Sequence, residues 1–416
     1  MGELAEARVD GHENLKALVR RLWLFGAGSP VIATTRALPK THLIVESYVV
    51  LPSIDRPRFL LPTNARRAVI NGFSQYLSTP DRRAQLIGKT LATAYRSRLV
   101  DRFAPGRLHI GIDRRVPREL WSQWLFLSHL GDVFDADDLV GILPVRRATP
   151  NAKPTVRLFD RDGTPQGYVK VGWSPPTTAL VLNETKALRA LDGGGHALTA
   201  PLVRAAGRWS QLEYLVATPL PGRIARWDRP PEASTSILEF VIGSADVTTS
   251  PLHSSAYRHM LHTRIERAMT GEPDVCRALA DWLDRLTANP ATLRFGRWHG
   301  DWVTWNLGTT QDTVFAWDWE YSSANVPAGF DLLHWHFQHR LAEQDGNLSV
   351  AADAVDRATH GLTSLGVPAE NHALVASLYL LEMLSRAASL AAGGSGWNAR
   401  LRPDLVRFVT NRDTRA

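Results

Sequence analysis

The chain has 416 residues, 44% of them hydrophobic and 21% charged, which is the composition of a globular protein with two or three domains and excludes a disordered or fibrous chain. Cys276 is the only cysteine, which excludes an internal disulfide and a cysteine-based zinc site, so we expect a cytoplasmic protein. The net charge is +7, and the segment 64–107 carries nine basic residues against two acidic ones.

Residues 1–133 form a first region that mixes strands and helices. The chain starts with acidic residues where a signal peptide has basic ones. The patterns predict strands over 43–51, 59–61 and 108–112, and helices over 65–77, 82–103 and 119–130. Because no motif assigns this region a function, we interpret it as an α/β-mixed cap on the next lobe or an extension of that lobe. The alternatives are that it determines acceptor specificity or forms a dimer contact.

The basic segment 64–107 has two interpretations. We interpret it as a solvated helix face, because neither interleaved aromatic residues nor a nucleic-acid motif accompanies it. The alternative is a surface that contacts RNA phosphates, whose signature is a steep salt dependence of binding. We expect no nucleic-acid partner.

Residues 134–222 have the pattern of a small sheet lobe. Strands are predicted over 139–146, 155–160 and 167–171, then a helix over 178–191, then strands over 202–206 and 212–218. Turns are expected at Asp162-Gly163 and at Gly207-Arg208, and Pro219 and Pro221 break the chain afterwards. Since residues 223–416 are mainly helical, the sequence predicts an α+β architecture in which a small antiparallel-sheet lobe precedes a larger helical lobe.

Three polar side chains stand at fixed intervals in the tryptophan-rich stretch 298–335. Asp301 follows His299 and Gly300, Asn306 comes five residues later, and Asp318 twelve residues after that. A strand at 307–308, a turn at 309–313 and a returning strand at 314–317 would form a hairpin. Asn306 and Asp318 would then share one end of the hairpin, and Asp301 would lie in the loop before it.

This set of side chains is suited to phosphoryl transfer. The Asn306 amide oxygen and the Asp318 carboxylate are hard oxygen donors that suit Mg²⁺. The Asp301 carboxylate can orient an alcohol and accept its proton as the alcohol attacks phosphorus. The alternative is that all three residues have purely structural roles, capping turns or ending strands, but this does not explain their joint spacing.

The same segment resembles the aminoglycoside phosphotransferase and choline/ethanolamine kinase superfamily, whose signature is HGDxxxxN followed by a D-x-E segment. The run DWEY at 318–321, followed by Asn325 and the FD pair at 330–331, is similar to the pattern of choline and ethanolamine kinases. The resemblance covers residue 139 to the C-terminus and leaves residues 1–133 outside. It implies a protein-kinase-like two-lobe fold, an enzyme that uses ATP and Mg²⁺, and a small-molecule hydroxyl acceptor as its partner.

The resemblance implies a role for each residue of the signature. Asp301 would be the catalytic base, and Asn306 and Asp318 would hold Mg²⁺, with Glu320 as a further candidate near metal or substrate. His299 would support the loop, and the FD aspartate at 331 would steady it.

The resemblance also implies a nucleotide site in the sheet lobe. Lys170 on the third strand would bind phosphate, and Glu184 from the next helix would hold it, with Arg157 as a competitor for the lysine's role. The adenine would bind backbone groups near Thr218 and Leu220. The hairpin at 146–155 has no GxGxxG motif, and we interpret the glycine clusters at 193–195 and 393–396 as turns.

The acceptor is predicted to be a small molecule, because only 13 positions separate Asp318 from Asp331 and leave little room for a peptide-docking segment. Basic residues at 258–264 favour a neutral or anionic hydroxyl acceptor over a cationic one. Sugars, aminoglycosides and amino alcohols remain open. The rival hypothesis is a catalytically silent pseudokinase whose N-terminal region acts as a binding module.

Two further patterns are assigned to packing. His334, His336 and His339 with Asp331 do not suggest a metal site, because the first two point about 200° apart on a helix. The apolar stretch 373–392 contains Glu382 and Arg386, so we expect a buried helix and not a membrane span.

Overall fold

A computed structural model describes residues 2–23, 28–74, 90, 93, 95–96, 106–146, 151–192, 195, 198–222, 224–288, 290–310, 313–344, 347–395 and 408. The chain divides into two compact units, Met1–Thr185 with Pro201–Ala225 and Lys186–Ala200 with Arg226–Ala416. Most of the basic segment, nearly all of the helix predicted over 82–103 and most of the glycine cluster at 193–195 lie outside the described residues.

The strands, in chain order, are β1 (Val31–Thr34), β2 (His42–Ser53), β3 (Arg56–Pro62), β4 (Arg107–Asp113), β5 (Val140–Pro144), β6 (Thr155–Phe159), β7 (Pro165–Gly172), β8 (Leu198–Thr199), β9 (Val203–Trp209), β10 (Leu212–Ala217), β11 (Ala225–Arg226), β12 (Thr248–Pro251), β13 (Thr292–Trp298), β14 (Leu307–Thr309), β15 (Val314–Ala316) and β16 (Ser323–Pro327). The α-helices are α1 (Gly2–Leu22), α2 (Arg66–Ser74), α3 (Phe126–Phe134), α4 (Pro175–Leu191), α5 (Thr235–Gly243), α6 (Ala256–Ala268), α7 (Pro273–Ala288), α8 (Phe330–Glu343), α9 (Leu348–Ala358) and α10 (His372–Leu390). Short 3₁₀ segments are Arg118–Gln123, Pro231–Ser234, Leu252–Ser254, Thr304–Asn306, Trp319–Tyr321, Thr359–Leu365 and Ala369–Asn371, and a π turn covers Ala391–Ser395.

One nine-stranded antiparallel sheet runs through the first unit in the order β1-β4-β2-β3-β5-β6-β7-β10-β9. The strands of the N-terminal region join the later ones where β3 pairs with β5, with Phe59 opposite Pro144 and Leu60 opposite Leu143. The segment from β5 to β10 has the predicted order of three strands, a helix and two strands, with the two-residue strand β8, which belongs to another sheet, as an addition after the helix. Residues 1–133 and the later strands therefore share one sheet.

The middle of this sheet has buried side chains on both faces, since successive side chains of a strand point to opposite faces. On β2, Tyr48 and Val50 belong to a large core that also contains side chains of α1 and α3, such as Leu15 and Leu130. The intervening Val49 belongs to a second core, which α2 covers. The N-terminal region thus contributes to both cores of the unit.

The predicted elements of the first unit that fall on described residues form with three differences. In place of the single helix predicted over 119–130, the structure has a 3₁₀ segment followed by α3. Leu125, which lies between the two, has an extended backbone and a buried side chain. β9 continues through Gly207 to Trp209, since Gly207 pairs with Tyr214, and the turn comes at Ser210 in the left-handed region. The sequence patterns missed α1 and β1, whose residues lie at the start of the chain.

The second unit is mainly helical, as predicted. Its strands form a four-stranded sheet in the order β11-β14-β15-β8 and a three-stranded sheet in the order β12-β13-β16. α10 packs against α6, α7 and α8. The segment Ala369–Gly393 is long and apolar enough to cross a membrane by length and composition, but its apolar window is 61% buried inside the protein, as the core helix of a globular fold is.

Candidate active site

Lys170 on β7 and Glu184 on α4 form an ion pair in the first unit. The Lys170 Nζ donates to both carboxylate oxygens of Glu184, at 2.7 and 2.6 Å. Both side chains are largely buried, with exposed fractions of 16% and 4%. Arg157, the competitor on β6, instead donates to the backbone oxygen of Gly72. The predicted pair is therefore formed, and its glutamate fixes the ammonium group of Lys170 on β7.

The chain leaves the sheet after β10 at Thr218. The Thr218 N–H donates to the Leu202 oxygen at 2.8 Å, and the Leu202 N–H donates to the Thr218 hydroxyl at 2.9 Å. Among the described residues, the Thr218 carbonyl and the Leu220 N–H have no hydrogen-bond partner. One acceptor and one donor, two residues apart, are thus left without a partner in the described part of the chain.

In the second unit, the predicted hairpin forms. Leu307 on β14 pairs with Ala316 on β15, and the Trp317 N–H donates to the Asn306 oxygen at 3.1 Å. The backbones of Asn306 and Asp318 therefore lie at the same end of the hairpin. Asp318 has a positive φ of 70° and precedes the 3₁₀ turn at 319–321.

Asp301 is held through both of its carboxylate oxygens. The Asn306 amide nitrogen donates to Asp301 Oδ2 at 2.8 Å and to the Asp301 backbone oxygen at 3.0 Å. The His334 Nε2–H from α8 donates to Asp301 Oδ1 at 3.2 Å. The side chain is still 26% exposed, so the carboxylate is fixed in orientation and open to solvent.

Sequence reasoning gave His334 no role, yet it contacts the candidate catalytic carboxylate. Burial lowers the pKa of His334, so the ring is neutral at pH 7. Since a carboxylate only accepts, Nε2 carries the proton, and Nδ1 accepts from the Tyr379 hydroxyl at 3.0 Å. Burial alone would raise the pKa of Asp301, but the hydrogen bond that its carboxylate accepts from His334 lowers the pKa below its usual value. Asp301 is therefore ionised at neutral pH.

His299 and Asp331 support the loop as expected. The Asp331 carboxylate accepts hydrogen bonds from the His299 N–H at 2.7 Å and the Gly300 N–H at 3.1 Å. His299 is fully buried, accepts from the Asp301 N–H and donates to the Trp317 oxygen. Gly300 has a φ of +86°, and a Cβ atom there would overlap the Tyr321 carbonyl. The loop therefore requires glycine at this position.

Two charges on α10 anchor the same loop. Arg386 donates to the Gly300 oxygen at 2.9 Å and its guanidinium lies over the Trp298 ring at 4.3 Å. Glu382 accepts from Arg386 at 2.9 Å and from Arg264 of α6 at 2.6 Å. Burial alone would raise the pKa of Glu382, but the two arginines lower it below its usual value. Glu382 and Arg386, the two charged residues of the apolar stretch, thus connect α6 and α10 to the backbone before Asp301 through hydrogen bonds.

The side chains of Asn306 and Asp318 carry oxygen atoms of the kind that bind magnesium ions in proteins. Since the Asn306 nitrogen is directed at Asp301, its Oδ1 is the atom left over, and this oxygen has no hydrogen-bond partner among the described residues. Asn306 is 3% exposed. An amide oxygen next to a carboxylate is a donor set that Mg²⁺ accepts.

Three of the basic residues at 258–264 lie beside carboxylates. Arg258 pairs with Asp284 at 3.3 Å, His262 with Glu266 at 3.4 Å, and Arg264 with Glu382. The preference for a neutral or anionic acceptor, which rested on Arg258, His259, His262 and Arg264, stays a prediction.

The other two histidines of α8 have partners of their own. His336 Nε2 lies 2.6 Å from a carboxylate oxygen of Glu232, and the ring of His339 stacks on Trp335 with centroids 4.3 Å apart. Only His334 of the three contacts Asp301. It lies one turn after Asp331, and that spacing is the one sequence signal that could have linked it to the loop.

The chain is similar in structure to several kinases of small molecules. An amicoumacin kinase matches with a TM-score of 0.40 and 12% identity over 71% of this chain and 94% of its own. An aminoglycoside-3'-phosphotransferase of type VIII matches with a TM-score of 0.34 and 18% identity over 62% and 98%. A choline/ethanolamine kinase family protein from Mesorhizobium loti matches with a TM-score of 0.32 and 16% identity over 62% and 88%.

No protein-family model matches the chain, and no curated protein matches it by sequence. At these TM-scores the likeness to solved structures is loose. The protein-kinase-like fold follows from the strand order β5-β6-β7-β10-β9 with α4 between β7 and β9, the Lys170–Glu184 pair, and the loop and hairpin that carry Asp301, Asn306 and Asp318.

Proposed function

We propose that the protein is a cytoplasmic, ATP-dependent phosphotransferase that moves the γ-phosphoryl group of ATP to a hydroxyl of a small molecule. The observation that carries this proposal is the ionised Asp301 carboxylate, fixed by Asn306 and His334 and still open to solvent. A carboxylate in this state can orient an acceptor hydroxyl and take up its proton. Asp301 is the proposed catalytic residue.

The remaining residues have roles in binding. In the first unit, Lys170, held by Glu184, would contact phosphate oxygens, and the Thr218 carbonyl and Leu220 N–H would bind the adenine edge. In the second unit, the Asn306 and Asp318 oxygens would hold Mg²⁺. When bound, Mg²⁺ neutralises phosphate charge.

A small acceptor is favoured over a protein acceptor by the chain that follows Asp318. Between Asp318 and α8, residues 319–329 form a 3₁₀ turn, β16 and the turn at Gly329. No peptide-docking segment lies in this stretch, all of which the structure describes. Sugars, aminoglycosides and amino alcohols are the acceptor classes to test.

The test is ADP release from ATP and Mg²⁺ with a panel of sugars, nucleosides, amino alcohols and aminoglycosides. We expect acceptor-dependent release that Asp301→Asn abolishes and that Asp353→Asn, an exposed carboxylate on α9, leaves unchanged. ATP binding must persist in Asp301→Asn, which separates a loss of chemistry from a loss of fold. ATP binding with no release for any acceptor would contradict the proposal and indicate the pseudokinase.

A further inference from the structure

The first unit contains a cavity of about 210 Å³ that the described Lys170–Glu184 site does not use. β2 lines one side, with Glu46 and Tyr48, and the segment 118–137 lines the other, with Trp121, Ser122 and Ser128. Since a protein cavity of about 150 Å³ can hold a molecule of the size of benzene, this cavity has room for one small organic molecule. It is bounded mainly by residues of the N-terminal region.

The inner wall of the cavity carries polar atoms that lack partners. Glu46 Oε2 accepts from the Tyr48 hydroxyl at 2.6 Å and from Trp23 Nε1 at 3.0 Å. Glu46 Oε1 and the hydroxyls of Ser122 and Ser128 make no hydrogen bond to any residue that the structure describes. Half-buried polar groups of this kind are satisfied by water or by a ligand.

The backbone of β2 is adapted at this point. Its pairing with β4 shifts register between Ile44 and Glu46, so Val45 is an extra residue in the strand. Such bulges redirect side chains and are frequent beside binding sites. The irregular pairing therefore lies directly before Glu46, which lines the cavity.

We propose that this cavity binds a small ligand with an ammonium group and hydroxyl groups, in the size range of an amino alcohol or amino sugar. The lining has three carboxylates, Glu46, Asp132 and Asp137, against the two guanidinium groups of Arg118 and Arg161. Arg118 lies 3.8 Å from Asp137, which leaves Glu46 and Asp132 against Arg161, so the lining favours a cation when Glu46 is ionised. Glu46 Oε1 would accept from the ammonium group. Ser122 and Ser128 would pair with hydroxyls, and the Trp121 ring would cover an apolar face of the ligand.

The titration of Glu46 supports this assignment. Burial raises the pKa of Glu46 to about 7, while the hydrogen bonds from Tyr48 and Trp23 lower it in part. A bound cation favours the carboxylate form, so binding of the cation should release a proton and become tighter as the pH rises. The other titratable or charged groups around Glu46 are Tyr48 on β2, His109 on β4 through Ser47, and the mouth residues Arg118, Asp132, Asp137 and Arg161.

The test is calorimetric titration of the full chain, without ATP, with 4-aminocyclohexanol and with the neutral cyclohexane-1,4-diol. We expect saturable binding of the amine and at least tenfold weaker binding of the diol. The amine should bind about tenfold more tightly at pH 8 than at pH 6, because Glu46, with a pKa of about 7, ionises over this range. An alkylammonium group stays protonated at both pH values.

Glu46→Gln tests the carboxylate itself, because a glutamine keeps an oxygen for Tyr48 and Trp23 and removes the charge. We expect it to weaken amine binding at least tenfold, while Asp55→Asn, an exposed carboxylate beyond the same strand, leaves binding unchanged. If Glu46→Gln does not fold, Ser122→Ala is measured in its place and is expected to weaken binding. Equal binding of amine and diol, full binding by the variants, or no saturable binding at all would overturn the proposal.

Discussion

Replacing His334 with alanine removes the hydrogen bond that its Nε2–H donates to Asp301 Oδ1 across 3.2 Å. A hydrogen bond to a charged group contributes about 1.5–3 kcal/mol, and every 1.36 kcal/mol of barrier is a factor of ten in rate. The separation is at the long end of the N–H···O range, so we take the lower half of this energy. The expected loss in kcat is about 10- to 40-fold.

The assay is steady-state ADP release with the best acceptor of the panel. We expect the KM for ATP to stay within about twofold, because His334 positions Asp301 and has no assigned contact with the nucleotide. His334→Gln, whose amide nitrogen can replace Nε2, should restore most of kcat. His339→Ala on the same helix is the matched control. A folded His334→Ala variant with unchanged kcat, or a His334→Gln variant as slow as alanine, would refute the positioning role.

Three other perturbations have expected outcomes. Glu382→Ala leaves Arg264 and Arg386 without the carboxylate that they share and should lower the free energy of unfolding, measured by chemical denaturation, by about 3–5 kcal/mol. The control Glu343→Ala removes an exposed carboxylate and should change the free energy of unfolding by less than about 0.5 kcal/mol. Burial lowers the pKa of His299 to about 4. The neutral ring therefore stabilises the fold above about pH 6.5, and about 3 kcal/mol of this stability is lost as the pH falls toward 4. Between pH 7 and pH 4, the free energy of unfolding of the wild-type protein should fall more steeply than that of His299→Gln. Lys170→Met should raise the Kd for ATP at least about tenfold by calorimetry, and an unchanged Kd would exclude Lys170 from phosphate binding.

Local patterns predicted the elements whose residues interact with near neighbours in the chain. The hairpin of β14 and β15 and the turn at Asp162-Gly163 follow from alternating apolar residues around turn residues. The strand end at Gly207 was wrong because glycine there reflects close packing, with Tyr214 across the ladder, and not a turn. Strand pairing over longer separations, such as β3 with β5, has no signature in a single sequence.

In the candidate site, too, the residues close together in the chain could be predicted from the sequence and the distant ones could not. Asp301, Asn306 and Asp318 are recognisable because their spacing is short and fixed within one loop and hairpin. His334 is 33 residues from Asp301, and Arg386 is 86 residues from the Gly300 carbonyl that it contacts. Only the packing of α8 and α10 brings these side chains to the loop, so their roles follow from the structure alone.

The most direct test of the proposed function is the fate of a label on the γ-phosphoryl group of ATP. The wild-type protein with Mg²⁺ and an acceptor from the panel should transfer the label to a hydroxyl of that acceptor, and Asp301→Asn should bind ATP without transferring it. Label that appears only as inorganic phosphate, or transfer at an unchanged rate in Asp301→Asn, would contradict the assignment of Asp301 and of a small-molecule phosphotransferase.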